Sequence, residues 1–246
     1  MSIPRLRLFA GPNGSGKSTL NSIISKKLLG VYINPDEIEK EIKKFDFLDM
    51  TAYCVKTNSD EVLSFFQNHP LLKKADLEDD LYLLKFTDNK IDFFNISVNS
   101  YYASVCADFI RHQLLKSKIS FTFETVMSSK DKVEFLKKAQ EAGYRTYLYF
   151  IATKDPIVNI SRVQNRVNLG GHSVPKEKII SRYYRSLELL HEAVKYSSRA
   201  YIFDNSGQEK LWVVQINNGK EFEFKTDTIP EWVGRYLLGL MVENNG

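Results

Sequence analysis

The sequence predicts an α/β fold: a parallel sheet flanked by helices. Short apolar runs alternate with helical patterns along most of the chain, and the first run passes through a glycine-rich turn into the first helix. Polar residues follow the carboxyl ends of several runs, where an open parallel sheet gathers its ligand-facing groups.

In order, Leu6 to Ala10 reads as a buried strand. Lys17 to Leu29 follows as a helix with Leu20, Ile23, Ile24 and Leu28 on one face. Val31-Tyr32-Ile33 is a short strand ending at Asn34-Pro35-Asp36, and Glu37 to Phe45 is a helix. Phe121-Thr122-Phe123 is a third strand ending at Glu124-Thr125, and Gly143 stops a helix over Lys130 to Ala142. Tyr147 to Ala152 is a fourth strand, after which Asp155-Pro156 opens a helix. Lys176 to Tyr196 is a long helix, and Tyr201-Ile202-Phe203 is a fifth strand ending at Asp204-Asn205-Ser206.

Two regions depart from the alternation. Residues 46–117 carry mostly helical spacing and read as a helical insertion within a single domain spanning 1–246. Near the carboxyl end, Leu211 to Ile216 and Glu221 to Lys225 flank Asn217-Asn218-Gly219, a β-hairpin signal, and Ile229 to Met241 closes the chain as a helix.

Composition bounds the function. The 246 residues are 43% hydrophobic, enough for one large core, and the formal charge of +4 is mild. Both signs are scattered, with no basic arm, which argues against a nucleic-acid partner. No apolar run reaches the ~20 residues of a membrane span. The amino-terminal segment is too short and basic for a signal peptide, so a cytoplasmic protein is expected. Cys54 and Cys106 lack neighbours at metal-ligand spacing and read as free thiols. His69, His112 and His191 read as surface or helix-face residues.

The most specific local signal is Gly11-Pro12-Asn13-Gly14-Ser15-Gly16-Lys17-Ser18, a G-x-x-x-x-G-K-[ST] P-loop between a strand and a helix. Its glycines permit the positive φ angles that aim successive N–H groups into one concavity, and the helix start adds partial positive charge. The pattern assigns ATP phosphates to Gly11, Asn13, Gly14, Ser15, Gly16, Lys17, Ser18 and Thr19, with the Ser18 hydroxyl turned to Mg²⁺. No LSGGQ-like segment occurs in the sequence.

Phosphoryl transfer to a hydroxyl needs a base and positive charge near the transferred group. Asp36 and Glu124 are the candidate bases; the structural alternative for Asp36 is a helix N-cap. Arg162 and Arg166 share a helix face, and Arg182 and Arg185 follow the loop Asn168 to Pro175, so residues 155–185 read as an arginine-bearing lid.

Together, Gly11–Thr19, Ile33-Asn34-Pro35-Asp36, Phe123-Glu124-Thr125, the block from Arg162-Val163 through Arg166-Val167, Gly170-Gly171-His172 and Val174-Pro175, and Asp204-Asn205-Ser206 resemble the zeta toxin family of P-loop kinases, in its chromosomal zeta toxin-like branch. The resemblance implies an ATP- and Mg²⁺-dependent kinase with a hydroxyl acceptor, UDP-N-acetylglucosamine in the best-known members. It makes Asp36 the general base, has Glu124 and Thr125 hold the acceptor, and turns Arg162 and Arg166 toward the phosphates with Arg182 as a second lid arginine. A small antitoxin is the partner it implies. Other classes consistent with the residues are a kinase of a dinucleotide or polynucleotide end, and a nucleotide-dependent binding module without transfer.

Overall fold

The structure is a computed structural model that describes residues 3–22, 24–171 and 173–239. Its strands are β1 (Arg5–Ala10), β2 (Val31–Ile33), β3 (Phe47–Asp49), β4 (Lys85–Thr87), β5 (Lys90–Asp92), β6 (Phe121–Thr125), β7 (Arg145–Ala152), β8 (Arg199–Asp204), β9 (Leu211–Asn217) and β10 (Glu221–Phe224). The α-helices are α1 (Lys26–Leu29), α2 (Pro35–Phe45), α3 (Ser59–Gln67), α4 (Pro70–Lys74), α5 (Ser100–Lys116), α6 (Lys130–Glu141), α7 (Pro156–Asn168), α8 (Lys176–Glu188), α9 (Leu190–Lys195) and α10 (Glu231–Val233). The chain forms two compact units, one comprising residues 30–123 and the other the segments on either side of it.

The first unit, which carries the P-loop, is built on β1, β7 and β8 paired in parallel, with the antiparallel strands β9 and β10 added at the β8 edge. Strand alternation sends Leu8, Leu148, Phe150, Ala200, Ile202 and Val214 to one face, where all are buried. Helices α6 and α9 pack against β7, and the Phe150 ring meets Trp232 of α10 at 6.1 Å. The hairpin signal forms as β9–β10, with Asn218 and Gly219 both at positive φ.

The second unit pairs β2 in parallel with β6 and packs α2 against α5. The expected α/β class with parallel strands and flanking helices is thus present. The segment 46–117 does hold α3, α4 and α5, yet it also contains an antiparallel sheet in the order β3-β5-β4. These strands have three residues each, too few for alternation to show in the sequence. Their hairpin turns on Asp88 and Asn89, both at positive φ, where the commoner signal is Asn-Gly.

Three predicted helices are shorter or interrupted. The stretch expected as one helix over 17–29 is a 3-10 segment, Lys17–Ser22, followed by α1. Asn21, Ser22, the Ile23–Ile24 pair and Ser25 are all weak helix formers, and Leu28, expected on the apolar face, is exposed while Leu29 is buried. Ile23 lies outside the described residues. The helix expected over 176–196 divides into α8 and α9 at Leu189, whose backbone stays near helical at φ −84°, ψ −8°. The last helix begins at Glu231 and continues as a π-helical turn over Gly234–Leu238; residues 240–246, with Met241, lie outside the described residues.

The histidines are more embedded than expected. His191 is buried, and His69 and His112 both reach Asp108 of α5, at 3.0 Å each. Arg111, itself buried, donates to the same carboxylate from Nε at 2.7 Å and Nη2 at 2.6 Å. Burial works against the Asp108 carboxylate, but the bonds from His112 and His69 and the Arg111 charge outweigh it and hold its pKa well below the ordinary range. A depressed folded pKa gives stability that is fully present above the unfolded carboxylate value of about 3.9 and is lost as pH falls below it. We expect Asp108→Ala to cost about 3–5 kcal/mol, because it strips a buried guanidinium of its carboxylate. Thermal melts at neutral pH check this, and the difference between variant and wild type should shrink in acid. Of the cysteines, Cys106 is buried, which pushes its thiol pKa up, and Cys54 is exposed. No helix among the described residues is long and apolar enough to cross a membrane.

Candidate functional site

The P-loop begins where β1 ends at Ala10. Gly11, Gly14 and Gly16 all adopt positive φ, at 147°, 75° and 98°. Space requires glycine there as much as conformation does. A Cβ on Gly11 would lie 2.0 Å from the Ile151 carbonyl oxygen, one on Gly14 2.5 Å from that of Asn159, and one on Gly16 2.5 Å from Asn205 Nδ2. We expect Gly14→Ala to cost about 1–3 kcal/mol and to open the loop against α7. Calorimetric titration with ATP together with a melt checks it: both affinity and melting temperature should fall.

The loop is held from two directions by side chains distant in sequence. Asn205, just past β8, donates from Nδ2 to the Ser15 carbonyl at 2.8 Å, while its own N–H donates to Ala152 at the end of β7. Asn159, fully buried on α7, donates from Nδ2 to the Asn13 carbonyl at 2.6 Å, and its Oδ1 accepts from the Thr153 hydroxyl. Tyr183 of α8 extends this support by donating to the Thr153 carbonyl at 2.6 Å. Behind Asn205, the Asp204 carboxylate accepts from Trp232 Nε1 at 2.7 Å and from the Ser206 N–H and hydroxyl at 2.9 Å each. Asp204 is therefore engaged in fixing the strand end.

Lys17 folds over the loop. Its ammonium donates to the Gly11 carbonyl at 2.9 Å and the Pro12 carbonyl at 3.0 Å. Ser18 is exposed and Thr19 back-bonds through its hydroxyl to Gly16 at 2.8 Å. Ser15 Oγ and Asn13 Oδ1 are buried with no hydrogen-bond partner among the described residues. A cradle that any Cβ would fill, unpaired polar atoms in its wall and a lysine across its mouth fit a bound polyphosphate.

The arginines of the predicted lid are in the same unit. Arg162 is half-buried on α7 and its Nη1 is enclosed without a hydrogen-bond partner among the described residues, Arg166 is exposed, and Arg182 is half-buried on α8, which packs on α7. Gly170 and Gly171 close α7. Gly170, at φ 85°, sends its N–H to Val167 and Gly171 sends its own to Arg166, a Schellman stop. His172 lies outside the described residues. At the end of β6, Thr125 Oγ1 accepts the Met127 N–H at 3.1 Å and leaves its own proton for donation; Glu124 beside it is half-buried.

Asp36 is in the second unit, in the first turn of α2. Asn34 is the N-cap there, accepting the Asp36 N–H at 2.9 Å, so the capping role open to Asp36 belongs to Asn34. The Asp36 carboxylate is exposed and has no hydrogen bond or ion pair among the described residues. Asn159 was not singled out by its sequence context. The available signal was a polar residue four before Val163 on the buried face of α7.

Residues 95–216 match the family model described as zeta toxin. Over this segment the chain is similar to the zeta toxin family. The matched segment runs from just before α5 to the end of β9 and does not include the P-loop, so loop and family match are separate observations. An uncharacterized protein of Haemophilus influenzae is 29% identical over 72 residues, which are 29% of this chain and 51% of that relative. Among solved structures, the chain resembles one in the crystal structure of AvrRxo1-ORF1:-ORF2 with ATP at a TM-score of 0.52 and 16% identity, covering 91% of this chain and 61% of the other. It also resembles one from the PezAT chromosomal toxin–antitoxin system of Streptococcus pneumoniae at a TM-score of 0.50 and 15% identity, covering 100% and 85%. At these identities the likeness is one of fold. The matches span about half of the curated relative and 61% of the AvrRxo1 chain.

Proposed function

We propose that this chain is an ATP-dependent phosphotransferase that moves the γ-phosphoryl group onto a hydroxyl of a small molecule. The observation that carries this reading is the loop: three positive-φ glycines packed against Ile151, Asn159 and Asn205, with Lys17 drawn across them. In this reading the N–H groups of residues 14–19 hold the phosphates, Lys17 follows the β- and γ-phosphates, and the exposed Ser18 hydroxyl ligates Mg²⁺. Bound Mg²⁺ supplies charge neutralisation at the β- and γ-oxygens. Arg162, Arg166 and Arg182 steady the transferred phosphate and keep water away. Asp36 takes the acceptor proton, and Glu124 with Thr125 holds the acceptor. An unpaired, exposed carboxylate released from capping by Asn34 supports that role for Asp36.

The zeta toxin likeness supports a sugar nucleotide as the acceptor, with UDP-N-acetylglucosamine as the first compound to test. Mass spectrometry after incubation with ATP and Mg²⁺ should show that compound heavier by one phosphoryl group. An unchanged sugar nucleotide beside normal ATP binding sinks this acceptor. The PezAT likeness favours a second element of the reading, a protein antitoxin as partner. Co-purification with a small helical protein encoded next to the gene tests that element.

A further inference from the structure

The sheet of the P-loop unit has a second face, and at the amino ends of its strands this face gathers arginines and aromatic rings that are far apart in sequence. Register places Arg5 beside Arg145, Arg7 beside Tyr147, and Tyr147 beside Arg199, so all point the same way from β1, β7 and β8. Tyr149, Tyr201 and Trp212 continue the face toward β9. The rings form a ladder: Tyr149 and Tyr201 stack at 4.7 Å and 21°, and Tyr201 meets Trp212 at 6.1 Å. Cations lie among them, with the Arg7 guanidinium 5.2 Å from the Tyr147 ring and the Lys225 ammonium 4.9 Å from that of Trp212.

The surface is open. Arg5, Arg145 and Arg199 are exposed, Tyr147 and Tyr201 are half-buried, and Trp212 is 38% exposed. Arg7 is only 4% exposed, and its Nη1 has no hydrogen-bond partner among the described residues. The acidic residues on this face, Glu221 and Glu223, are confined to β10 at the far edge, where Glu223 pairs with Lys225. The P-loop lies at the opposite, carboxyl end of β1.

We propose that this face binds single-stranded nucleic acid, phosphates on Arg5, Arg145 and Arg199 and bases on Tyr147, Tyr201 and Trp212. Guanidinium groups suit phosphates, and exposed rings next to cations are the platform on which unpaired bases stack. A second copy of the chain is disfavoured, because a twofold pairing would set the arginines against themselves. An acidic peptide would satisfy the arginines but has no planar group for each ring. The scattered charge of the sequence hid this patch, since three separate strands contribute it.

The test is anisotropy of a fluorescent oligo(U) of about ten nucleotides with the full chain, across a salt series. Three phosphate contacts to a single strand predict a log–log salt slope of about −2. The Arg145→Ser/Arg199→Ser double variant, altered only at exposed positions, should weaken binding about tenfold or more and flatten the slope by about 1.4. Trp212 fluorescence should be quenched on binding, a signal that Trp212→Phe removes. ATP binding should be unchanged in the double variant. The proposal is overturned if oligo(U) does not bind at low salt, if the double variant binds as wild type does, or if poly-glutamate competes equally well, which assigns the face to acidic proteins.

Discussion

Replacing Lys17 with alanine is expected to lower ATP-dependent turnover by on the order of a hundredfold to a thousandfold, the usual cost of removing one preorganised charge from a phosphate site. The structure explains why the loss should be functional. The ammonium donates to the loop carbonyls of Gly11 and Pro12, and the loop itself is held by Asn159 and Asn205. The fold should therefore survive, with a melting temperature close to wild type. Equilibrium ATP binding and steady-state turnover on the same preparation check the split. A variant that melts much earlier would mean that Lys17 is a structural clasp.

Converting Asp36 to asparagine is expected to reduce transfer to the acceptor by about a hundredfold to ten-thousandfold, the range for losing a general base, while ATP affinity stays unchanged. Asparagine keeps the shape of the side chain and leaves the Asn34 cap in place. The stability cost is limited to the charge–dipole interaction in the first turn of α2, about 0.3–1 kcal/mol. Single-turnover transfer and equilibrium ATP binding on the same preparations separate the roles: transfer should fall in the variant while binding holds. Equal rates in both proteins would remove Asp36 from the chemistry.

The parts legible in the sequence are those whose signal is local. Gly11 to Ser18 encode their own turn, and Asp155-Pro156 and Asn217-Asn218-Gly219 encode a helix start and a hairpin within a few residues. The parts that were not legible depend on distant contacts. Asn159 reaches a loop carbonyl 146 residues away, and Asn205 one 190 residues away. Neither spacing leaves a pattern along the chain. The β3-β5-β4 sheet escaped because three-residue strands are set by packing and by the Asn89 side chain, which donates to Val55 and Thr51, more than by periodicity. The break after Lys17–Ser22 shows weak helix propensity prevailing over an apolar pattern that favoured one continuous helix.

In the proposed reading the loop serves transfer and not binding alone. The measurement that tests it most directly is the fate of the γ-phosphoryl group of labelled ATP, incubated with the chain, Mg²⁺ and a broad panel of hydroxyl-bearing metabolites. Label is expected in an organic acceptor, lost in Lys17→Ala and strongly reduced in Asp36→Asn. Stoichiometric ATP binding with label never leaving ATP for any acceptor would contradict it and make this chain a nucleotide-dependent binding module.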